Sequence, residues 1–520
     1  MHDSKERYAD APRCHKDTRK AVLKDITTWV LDDSKDTLIL WLSAPAGSGK
    51  SAILQTIAET FHNSKGLAAS FFFARTAPQR DTETHLIATI AAQLAKSIPA
   101  TKPFIDQVVL DDLSIFEKAS PVQMELLVVQ PLIQASFQAE WNYPWPSLLI
   151  IDGLDECNGG KVQAEILHMF NDALLKIKYS LPRLYLLITS REEPAISDSF
   201  EGKLSTITRH IVLDDSYNPD HDIATFLRSR FSDIYCHRSI RFPSMSSLLH
   251  PWPSEKVISF LVQKSSGQFI FAATVIRFVD EDRKLPSAQL ELILDICESL
   301  DASQHNTNPF ALIDQLYAHV LRSALEIEKI ISFLGAIFYL QRNQAPTPAL
   351  LETLFGLKSE EMVLLLWDLH SLIYLPACRT HSIRFYHASF RDYLVDRHRS
   401  EDLHTDEHAA HSLLLESCMR QLSKVPNSKR RVNNSPALKY STKAWFSHYS
   451  RGNSIKAGSM NGLLETFKPN SHRLCLSDPT TLKGFVYWWE IYGRLRSDLH
   501  DKASTQFRLS SKVYVSCSAI

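Results

Sequence analysis

A lysine and a serine follow a short glycine-containing loop near the start of the chain, and this combination can bind phosphate. The loop comprises residues 44–49, and the lysine and serine come directly after it. Small residues let successive backbone N–H groups curl around a phosphate, and the helix that starts there adds its positive end. The ammonium would reach the β- and γ-phosphates, and the hydroxyl would bind Mg²⁺. We therefore predict nucleotide contacts from Ala46, Gly47, Ser48, Gly49, Lys50, Ser51 and Ala52, with Ser51 also a ligand of Mg²⁺.

The loop departs from the usual phosphate-binding pattern at one position. Ala44 stands where the first glycine is normally found. That glycine mostly relaxes the turn, and alanine is the mildest replacement, so we expect weakened rather than abolished binding. The alternative interpretation is a plain Gly/Ser turn between a strand and a helix.

Three acidic residues lie at the end of a predicted buried strand, Ser147–Asp152. Asp152 closes the strand, where a carboxylate can hold the water shell of Mg²⁺. Asp155 and Glu156 follow closely, and a second acid at this place can orient or deprotonate an attacking water. The alternative is a capping run at a strand-to-helix turn. The phosphate-binding loop upstream favours the metal and water interpretation.

A cation follows another predicted buried strand, Leu184–Thr189. Ser190 and Arg191 come next, and a polar residue followed by a cation can sense a γ-phosphate. The alternative is a charged strand end without a catalytic role.

The remaining apolar runs predict the elements that bring these residues together. Strands are predicted at Thr37–Leu42, Leu67–Phe73 and Ser205–Leu213, and helices at Lys16–Leu31 and Thr84–Lys96. Strands that alternate with helices in this order predict a parallel α/β core. Residues 1–15 are expected to be disordered.

The second half of the chain is predicted to be mainly helical. Helices at Glu326–Gln341, from Thr347 to Phe355 and at Ser359–His370, followed by strands Leu372–Leu375 and Ile383–Tyr386, predict a winged helix. A third helix that reads DNA should carry Arg, Lys or Asn, whereas this one is acidic and apolar, so we expect no direct DNA reading. The Ser- and Pro-rich stretch Cys236–Pro253 is predicted to be a loop. Lys424–Lys439, which contains Lys429, Arg430 and Arg431, is expected to be an exposed linker.

Composition limits the classes of function. The chain has 520 residues and a formal net charge of −1, so no global attraction to nucleic acid or to an anionic membrane follows. The 8 cysteines are scattered without a CxxC pair, which argues against a zinc site or a disulfide framework and fits a reducing compartment. We expect no signal peptide, no membrane span and a cytoplasmic location.

Several motifs together resemble the fungal NACHT-type signalling ATPases of the STAND class, to which animal and plant innate-immune (NLR-like) receptors also belong. The segments that carry the resemblance are APAGSGKS (44–51), LLIIDGLDEC (148–157), LLITSREEP (186–194), SGQFIFAATVIRF (266–278) and YHASFRDYLVD (386–396). The leading block also resembles the nephrocystin-like N-terminal P-loop domain. The resemblance implies an α/β P-loop NTPase core with an ASCE-type parallel sheet, in which an extra strand lies between the Walker A and Walker B strands.

The resemblance also implies roles for the acidic and basic residues. Lys50 and Ser51 would form the Walker A pair, and Asp152 would be the Walker B metal residue. Asp155 and Glu156 would be the additional acids of an extended Walker B motif.

Two further assignments come from the same resemblance. Arg191 resembles the sensor arginine after the fourth strand, and His387 resembles the winged-helix histidine that contacts the β-phosphate in the ADP-locked state. Residues Gly267–Phe271 resemble the glycine-leucine-proline segment of the lid, but Phe269 replaces its proline. The acid that normally follows the histidine is also missing.

We predict five segments from these patterns. They are an N-terminal lead and helix (1–33), a P-loop NTPase or NACHT domain (34–215), a helical lid (216–325), a winged helix (326–400) and a helical C-terminal region (401–520). Relatives commonly carry an N-terminal effector and a C-terminal repeat sensor. Because neither is recognisable here, we expect a homo-oligomer or effector and sensor proteins supplied in trans.

Three hypotheses of function remain. The first is a nucleotide-dependent switch that binds Mg²⁺ with ATP/ADP or GTP/GDP and hydrolyses the triphosphate slowly. The second is a nucleotide-independent interaction scaffold with a degenerate loop, and the third is a metabolic P-loop kinase. Failure to bind labelled nucleotide would favour the scaffold, and phosphorylation of a small acceptor would favour the kinase.

Overall fold

The structure is a computed structural model that describes residues 1–3, 11–32, 34–75, 77, 79–138, 145–178, 184–301, 310–340, 344–376, 378–423 and 435–452. The chain divides into two compact units. The first unit comprises residues 1–319, 370–372 and 384–390, and the second comprises residues 320–369, 373–383 and 391 onward. This division is coarser than the five predicted segments, whose boundaries stay predictions.

Five strands of the first unit form one parallel sheet in the order β2–β3–β4–β1–β5. Their bounds are β1 Ile39–Ser43, β2 Leu67–Phe72, β3 Leu148–Asp152, β4 Tyr185–Ser190 and β5 Thr208–Val212. The first four strands are fully buried, as their continuous apolar runs require in a parallel sheet with helices on both faces. Strand β4 lies between β1 and β3, so the sheet has the extra central strand that the resemblance predicts.

The register of the sheet brings the ends of three strands to one edge. Ser43, the last residue of β1, is level with Ser190, the last residue of β4. Ile151, one residue before the end of β3, is level with Ile188 of β4. In open parallel sheets ligands bind outside the carboxyl ends of the strands. The predicted site residues from Lys50 to Arg191 lie at the end of β3 or after β1, β3 or β4 at this edge.

Aromatic packing fixes the strand that leads into the phosphate loop. The indole of Trp41 is stacked between the ring of Phe200 at 4.3 Å and the ring of His210 at 4.0 Å. Its Nε1–H donates to the Ser190 hydroxyl of β4 at 2.8 Å. These contacts hold β1 against both of its neighbours, so the loop after β1 starts from a rigid position.

The helices that begin before residue 320 cover this sheet or follow it. They are α1 Lys20–Leu31, α2 Lys50–Asn63, α3 Leu86–Ser97, α4 Lys102–Asp111, α5 Ser120–Met124, α6 Gln130–Gln138, α7 Gly160–Ile177, α8 Pro194–Glu201, α9 Pro219–Arg241, α10 Pro243–Ser246, α11 Glu255–Ser265, α12 Phe269–Val279, α13 Pro286–Asp301 and α14 Ala311–Arg322. A π-helical turn, Glu125–Val129, joins α5 to α6.

Three predictions for this part of the chain were wrong. Helix α1 begins at Lys20 rather than Lys16, because Arg19 adopts a left-handed conformation with φ 58°. Residues 236–253 are not a loop throughout, since α9 continues to Arg241 and α10 follows it. The start of the chain is not uniformly disordered either, because His2 is buried and its backbone N–H donates to the Ser70 hydroxyl at 3.0 Å. Residues 4–10 lie outside the described part.

The second unit is built mainly from helices. The elements that begin after residue 320 are α15 Ile327–Phe338, α16 Pro348–Phe355, α17 Ser359–Leu366, β6 Ile373–Tyr374, β7 Arg384–Phe385, α18 Ala388–Val395, α19 Arg397–Ser400, α20 Glu407–Ser423 and α21 Pro436–Arg451. Of these, β7 and the start of α18 (residues 388–390) belong to the first unit. Helix α16 begins as predicted, with the Thr347 hydroxyl accepting the Leu350 N–H and Pro348 in its first turn. The winged helix stays a prediction, and so does the tail beyond Gly452.

Two further predictions concern a basic cluster and membrane-spanning helices. The basic cluster at 429–431 lies outside the described residues. Among the described helices, none is long and apolar enough to cross a membrane.

Candidate functional site

Two glycines shape the loop between β1 and α2. Gly47 has φ 81° and Gly49 has φ 95°, conformations that other residues rarely adopt. A Cβ atom at Gly47 would also lie 2.3 Å from Cγ2 of Ile270, at the start of α12. Ala44 is not in the left-handed region, and its N–H donates to the Ser190 carbonyl at 3.4 Å. The two glycines are therefore required by geometry, whereas the alanine occupies its position without backbone strain.

Lys50 is folded back over the loop. Its ammonium donates to the carbonyl oxygens of Ala44 at 2.6 Å and Pro45 at 2.9 Å. Burial lowers the pKa of Lys50, and the carboxylate of Asp155 partly opposes that effect. A lysine that is held by neutral carbonyls would gain a stronger partner in an anionic phosphate.

The first turn of α2 contains two further residues that are predicted to contact nucleotide, Ser51 and Ala52. Ser51 follows Lys50 in this turn, as the metal assignment requires. The Ala52 N–H donates to the Gly49 carbonyl at 3.0 Å. Its proposed contact with nucleotide therefore stays a prediction.

Asp152 is buried at the end of β3 and is oriented by the neighbouring strand. The Thr189 hydroxyl of β4 donates to Oδ1 of Asp152 at 2.7 Å and accepts the Gly153 N–H at 3.0 Å. Gly153 then turns the chain with φ 68°, and the short 3₁₀ helix Leu154–Glu156 follows. Thr189 thus fixes the carboxylate in one orientation, a role that the sequence alone did not assign to it.

Asp155 and Arg191 form an ion pair with two contacts. Nε of Arg191 lies 3.1 Å from Oδ2 of Asp155, and the Arg191 backbone N–H donates to Oδ1 at 3.1 Å. Asp155 is buried, whereas the Arg191 side chain is 27% exposed. The predicted acid and the predicted sensor are therefore neighbours, and both oxygens of the acid are engaged.

Glu156 is held differently, by a residue that follows β2. The Arg75 backbone N–H donates to Oε2 of Glu156 at 3.1 Å, and Nη2 of Arg75 donates to the Asp155 carbonyl at 2.6 Å. Burial and the nearby Asp155 carboxylate raise the pKa of Glu156 to about 7. A carboxyl group with a pKa near neutrality is suited to exchange a proton at physiological pH. Arg75 lies shortly after β2, and no local sequence motif marks its role.

The residues at this edge fit a magnesium ion. Mg²⁺ prefers hard oxygen ligands and commonly takes only one or two from the protein, with the rest from phosphates and water. A serine hydroxyl at position 51 and a buried carboxylate at Asp152 provide such ligands. Among the described residues, no group of three or more His, Cys, Asp or Glu side chains forms a complete metal cage. The donors fit an ion that is shared with a phosphate ligand better than they fit a permanent structural metal.

Two further segments of the first unit touch the phosphate loop. The Ile270 N–H of α12 donates to the Gly47 carbonyl at 3.1 Å. Nη2 of Arg19 donates to the Ser48 carbonyl at 2.7 Å. No local sequence motif marks Arg19, because its contact partners lie far away along the chain.

The contacts described for His387 are local. Its Nδ1 accepts the Ser389 N–H at 3.0 Å and lies 2.6 Å from the Ser389 hydroxyl. A neutral ring that accepts at Nδ1 carries its proton on Nε2. That tautomer can donate to a phosphate oxygen, but the phosphate contact itself stays a prediction.

Residues 17–191 match the family model described as Nephrocystin 3, N-terminal, which covers about a third of the chain. The matched range includes the phosphate loop, the acidic strand end and Arg191. The loop, the acidic strand end and the parallel sheet identify this part as an α/β domain of the P-loop NTPase type. No curated protein matches the chain.

Two solved structures are similar to the chain at low identity. One is a Signal Transduction ATPase with Numerous Domains (STAND) protein with a tetratricopeptide repeat sensor from Pyrococcus horikoshii, with 13% identity, a TM-score of 0.45, and coverage of 95% of this chain and 58% of that one. The other is Drosophila ORC bound to GC-rich DNA and Cdc6, with 10% identity, a TM-score of 0.26, and coverage of 87% and 70%. The chain thus spans less than two thirds of the archaeal protein. Neither TM-score reaches 0.5, so we draw no functional conclusion from these two structures.

Proposed function

We propose that the chain is a nucleotide-dependent switch of the STAND or NACHT type, which binds ATP or GTP with Mg²⁺ and hydrolyses it slowly. The observation that carries the proposal is the convergence of three features at one sheet edge. These features are a phosphate loop with Lys50, a carboxylate at Asp152 that is oriented by β4, and the acid Glu156 with a pKa near 7.

Each group has a defined task in this proposal. Lys50 exchanges its two loop carbonyls for phosphate oxygens, and the backbone N–H groups of the loop bind the same phosphates. Bound Mg²⁺, held by Ser51 and Asp152, would neutralise phosphate charge. Glu156 accepts a proton from an attacking water, and Arg191 supplies positive charge near the γ-phosphate.

A lid contact supports a switch over a metabolic kinase. The N-terminus of α12 donates a hydrogen bond to the phosphate loop through Ile270. A switch needs an element whose position can depend on the bound nucleotide. A kinase would need an acceptor site beside the γ-phosphate, and we can name no residues for one.

The proposed switch controls oligomer assembly or the binding of partner proteins that are supplied in trans. A cytoplasmic location also belongs to it, and the described cysteines, which are free thiols, fit a reducing compartment. A role in fungal innate immunity would follow from the motif resemblance alone.

The first experiment is identification of the nucleotide that co-purifies with the protein, followed by titration of fluorescent ATP and GTP analogues with Mg²⁺. Lys50→Ala should remove most of the affinity, because no other described side chain takes its place in the loop. Lys102→Ala is a matched control, since that lysine is exposed and pairs with Asp106 on α4. Asp152→Asn should raise the Mg²⁺ concentration that is needed for half-maximal binding.

The competing hypotheses make different predictions in the same assays. A scaffold would bind neither analogue, and Lys50→Ala would then change nothing. A kinase would transfer the γ-phosphoryl group to a small acceptor over many turnovers. Wild-type affinity in Lys50→Ala would overturn the proposed site.

A further inference from the structure

One arginine before α1 joins three parts of the first unit at the phosphate loop. Arg19 is only 4% exposed, and its Nη2 donates to the Ser48 carbonyl of the loop at 2.7 Å. Its backbone N–H donates to Oδ2 of Asp222 in α9 at 2.9 Å. Its guanidinium lies 4.6 Å from the ring centroid of Phe269, the first residue of α12. The N-terminal segment, the loop and the two helices α9 and α12 therefore meet at this side chain.

Keeping this charge buried costs free energy that local pairing only partly offsets. Nε of Arg19 is 4.0 Å from the Asp222 carboxylate, at the limit of an ion pair. Its Nη1 is buried without a hydrogen-bond partner among the described residues. Burial lowers the pKa of Arg19, and Asp222 opposes the effect. Buried charges with unsatisfied donors are uncommon and call for an explanation.

The contact with Ser48 has a direct consequence for phosphate binding. In a planar trans peptide the C=O and the following N–H point in opposite directions. When Arg19 fixes the Ser48 carbonyl, it also fixes the direction of the Gly49 N–H, which then faces away from the guanidinium. Gly49 has φ 95°, so without that contact its two neighbouring peptides have wide rotational freedom.

Helix α12, in the predicted lid, fixes the preceding peptide of the loop in the same way. The Ile270 N–H donates to the Gly47 carbonyl at 3.1 Å, which sets the direction of the Ser48 N–H. Ile270 follows Phe269, the residue that stacks on Arg19. Two successive N–H groups of the phosphate loop are thus oriented from behind, one by the lid and one by an arginine that touches the lid.

We propose that Arg19 and the first turn of α12 form a positioning pair that pre-sets the phosphate loop, so that docking of the lid and binding of a nucleoside diphosphate or triphosphate favour each other. The inference rests on the proposed nucleotide binding and adds its route of coupling. Coupling between two equilibria is reciprocal. A bound β-phosphate therefore stabilises the contact between Ile270 and Gly47, and undocking of α12 loosens the phosphate.

The test compares diphosphate with monophosphate binding in Arg19 variants. Arg19→Met removes the donors and the charge, and Arg19→Lys keeps the charge but loses the planar fork. Arg13→Met is the matched control, since Arg13 belongs to the same segment and pairs with Glu59 on α2. ADP, GDP and the corresponding monophosphates are titrated by calorimetry in each protein.

We expect Arg19→Met to weaken diphosphate affinity by about tenfold or more, because a charge-assisted hydrogen bond orients the loop. Monophosphate affinity should fall much less, and Arg13→Met should bind both ligands as the wild type does. Hydrogen exchange over residues 268–279 should slow on diphosphate binding in the wild type but not in Arg19→Met. A general structural defect would instead weaken both ligands by the same factor, which would overturn the inference.

A second pair of variants keeps the test decisive if Arg19→Met does not fold. Ile270→Pro removes the N–H that holds Gly47, whereas Ile270→Ala removes the side chain and keeps the N–H. The inference requires the proline variant to lose more diphosphate affinity than the alanine variant, and equal losses would overturn it. If the wild type binds no nucleotide at all, the proposed function fails as well. Normal wild-type binding with unchanged variants overturns only the coupling.

Discussion

Nε of Arg191 lies 3.1 Å from one oxygen of the Asp155 carboxylate, and the other oxygen accepts the Arg191 backbone N–H at 3.1 Å. Both acceptor oxygens of this acid are therefore occupied by a cation and an amide. Glu156 receives a described hydrogen bond on Oε2 alone, from the Arg75 N–H. A carboxylate that is engaged on both oxygens is a poor proton acceptor for water, so this geometry supports Glu156 over Asp155 as the base of the proposed hydrolysis.

Exchange of each acid for its amide should separate the two roles. Glu156→Gln should leave nucleotide affinity within about twofold and slow hydrolysis by about 100-fold or more, because it removes a positioned base. Asp155→Asn should instead lower the melting temperature and weaken the response to the γ-phosphate, because it releases Arg191. Single-turnover hydrolysis and thermal unfolding measure the two effects. A selective hydrolysis defect in Asp155→Asn, with unchanged melting, would assign the base to Asp155.

Stability without nucleotide should fall as the pH rises through neutrality. Burial and Asp155 raise the pKa of Glu156 from 4.5 to about 7, so the folded state holds this proton more tightly than the unfolded state does. Its stabilising contribution is complete below pH 4.5 and is lost as the pH rises through 7. We expect the free energy of unfolding to fall by about 1 to 3 kcal/mol over this window.

Glu156→Gln is the control for that pH dependence, since the amide does not titrate. Denaturant unfolding at a series of pH values measures it, and an equal slope in wild type and variant would assign the effect to other groups. The same pKa should govern catalysis in the free protein. The value of kcat/KM is expected to rise with pH through about 7, since the base form of Glu156 is required.

The sheet was predictable from the sequence because buried parallel strands are continuous apolar runs. Strand Leu148–Asp152 starts one residue later than predicted and ends at the predicted residue, and Tyr185–Ser190 is shifted by one residue from its prediction. Helix ends were harder. Arg19 is left-handed and its N–H bonds to the distant Asp222, and α9 continues through a polar stretch in which Arg238 bonds to the distant Asp280. Local propensity does not contain that information.

The candidate site was also only partly predictable, because some of its contacts join residues that are distant in sequence. Lys50 and Asp152 stand in motifs with fixed spacing, so their neighbourhood could be inferred from sequence. The choice between Asp155 and Glu156 could not, because it depends on which of them meets Arg191 and which meets Arg75. Those partners follow different strands, and only the sheet order brings them together.

Replacement of Ala44 by the glycine of the usual pattern should change nucleotide affinity only slightly. Ala44 is buried outside the left-handed region, so its Cβ imposes no backbone strain. We expect Ala44→Gly to leave nucleotide affinity within about threefold and to lower stability by about 0.5–1 kcal/mol, because glycine gains more freedom in the unfolded chain. Fluorescent-nucleotide titration and thermal unfolding check both expectations.

Gly47→Ala is the contrasting variant, since a Cβ there would lie 2.3 Å from Cγ2 of Ile270 at φ +81°. It should lose most nucleotide affinity. If Ala44→Gly instead raised the affinity tenfold or more, Ala44 would weaken nucleotide binding in the wild type, as the departure from the sequence pattern alone predicts.

The residue before His387 contacts helix α12. The Tyr386 ring lies 4.1 Å below the guanidinium of Arg277, which belongs to α12. Arg277 is seven residues after Ile270, about 10 Å along the helix axis. The helix that touches the phosphate loop at its first turn thus also contacts the residue next to His387. A change in the position of α12 would therefore alter its contacts with both the phosphate loop and Tyr386.

His387→Ala tests whether this histidine contributes to a nucleotide-dependent clamp. The Ser389 hydroxyl lies 2.6 Å from Nδ1 and 2.9 Å from the Tyr317 hydroxyl, so a purely local role is to hold the start of α18. Ser389→Ala disrupts that local network and keeps the imidazole, which makes it the matched control. If Nε2 donates to a β-phosphate only in the closed state, His387→Ala should speed diphosphate release by about threefold to tenfold. The fold should survive, since one polar contact contributes about 0.5–1.5 kcal/mol.

Diphosphate off-rates and melting temperatures of both variants test this prediction. Equal off-rates in wild type and His387→Ala, or the same acceleration in Ser389→Ala, would leave His387 as a helix-capping residue and remove the histidine from the switch.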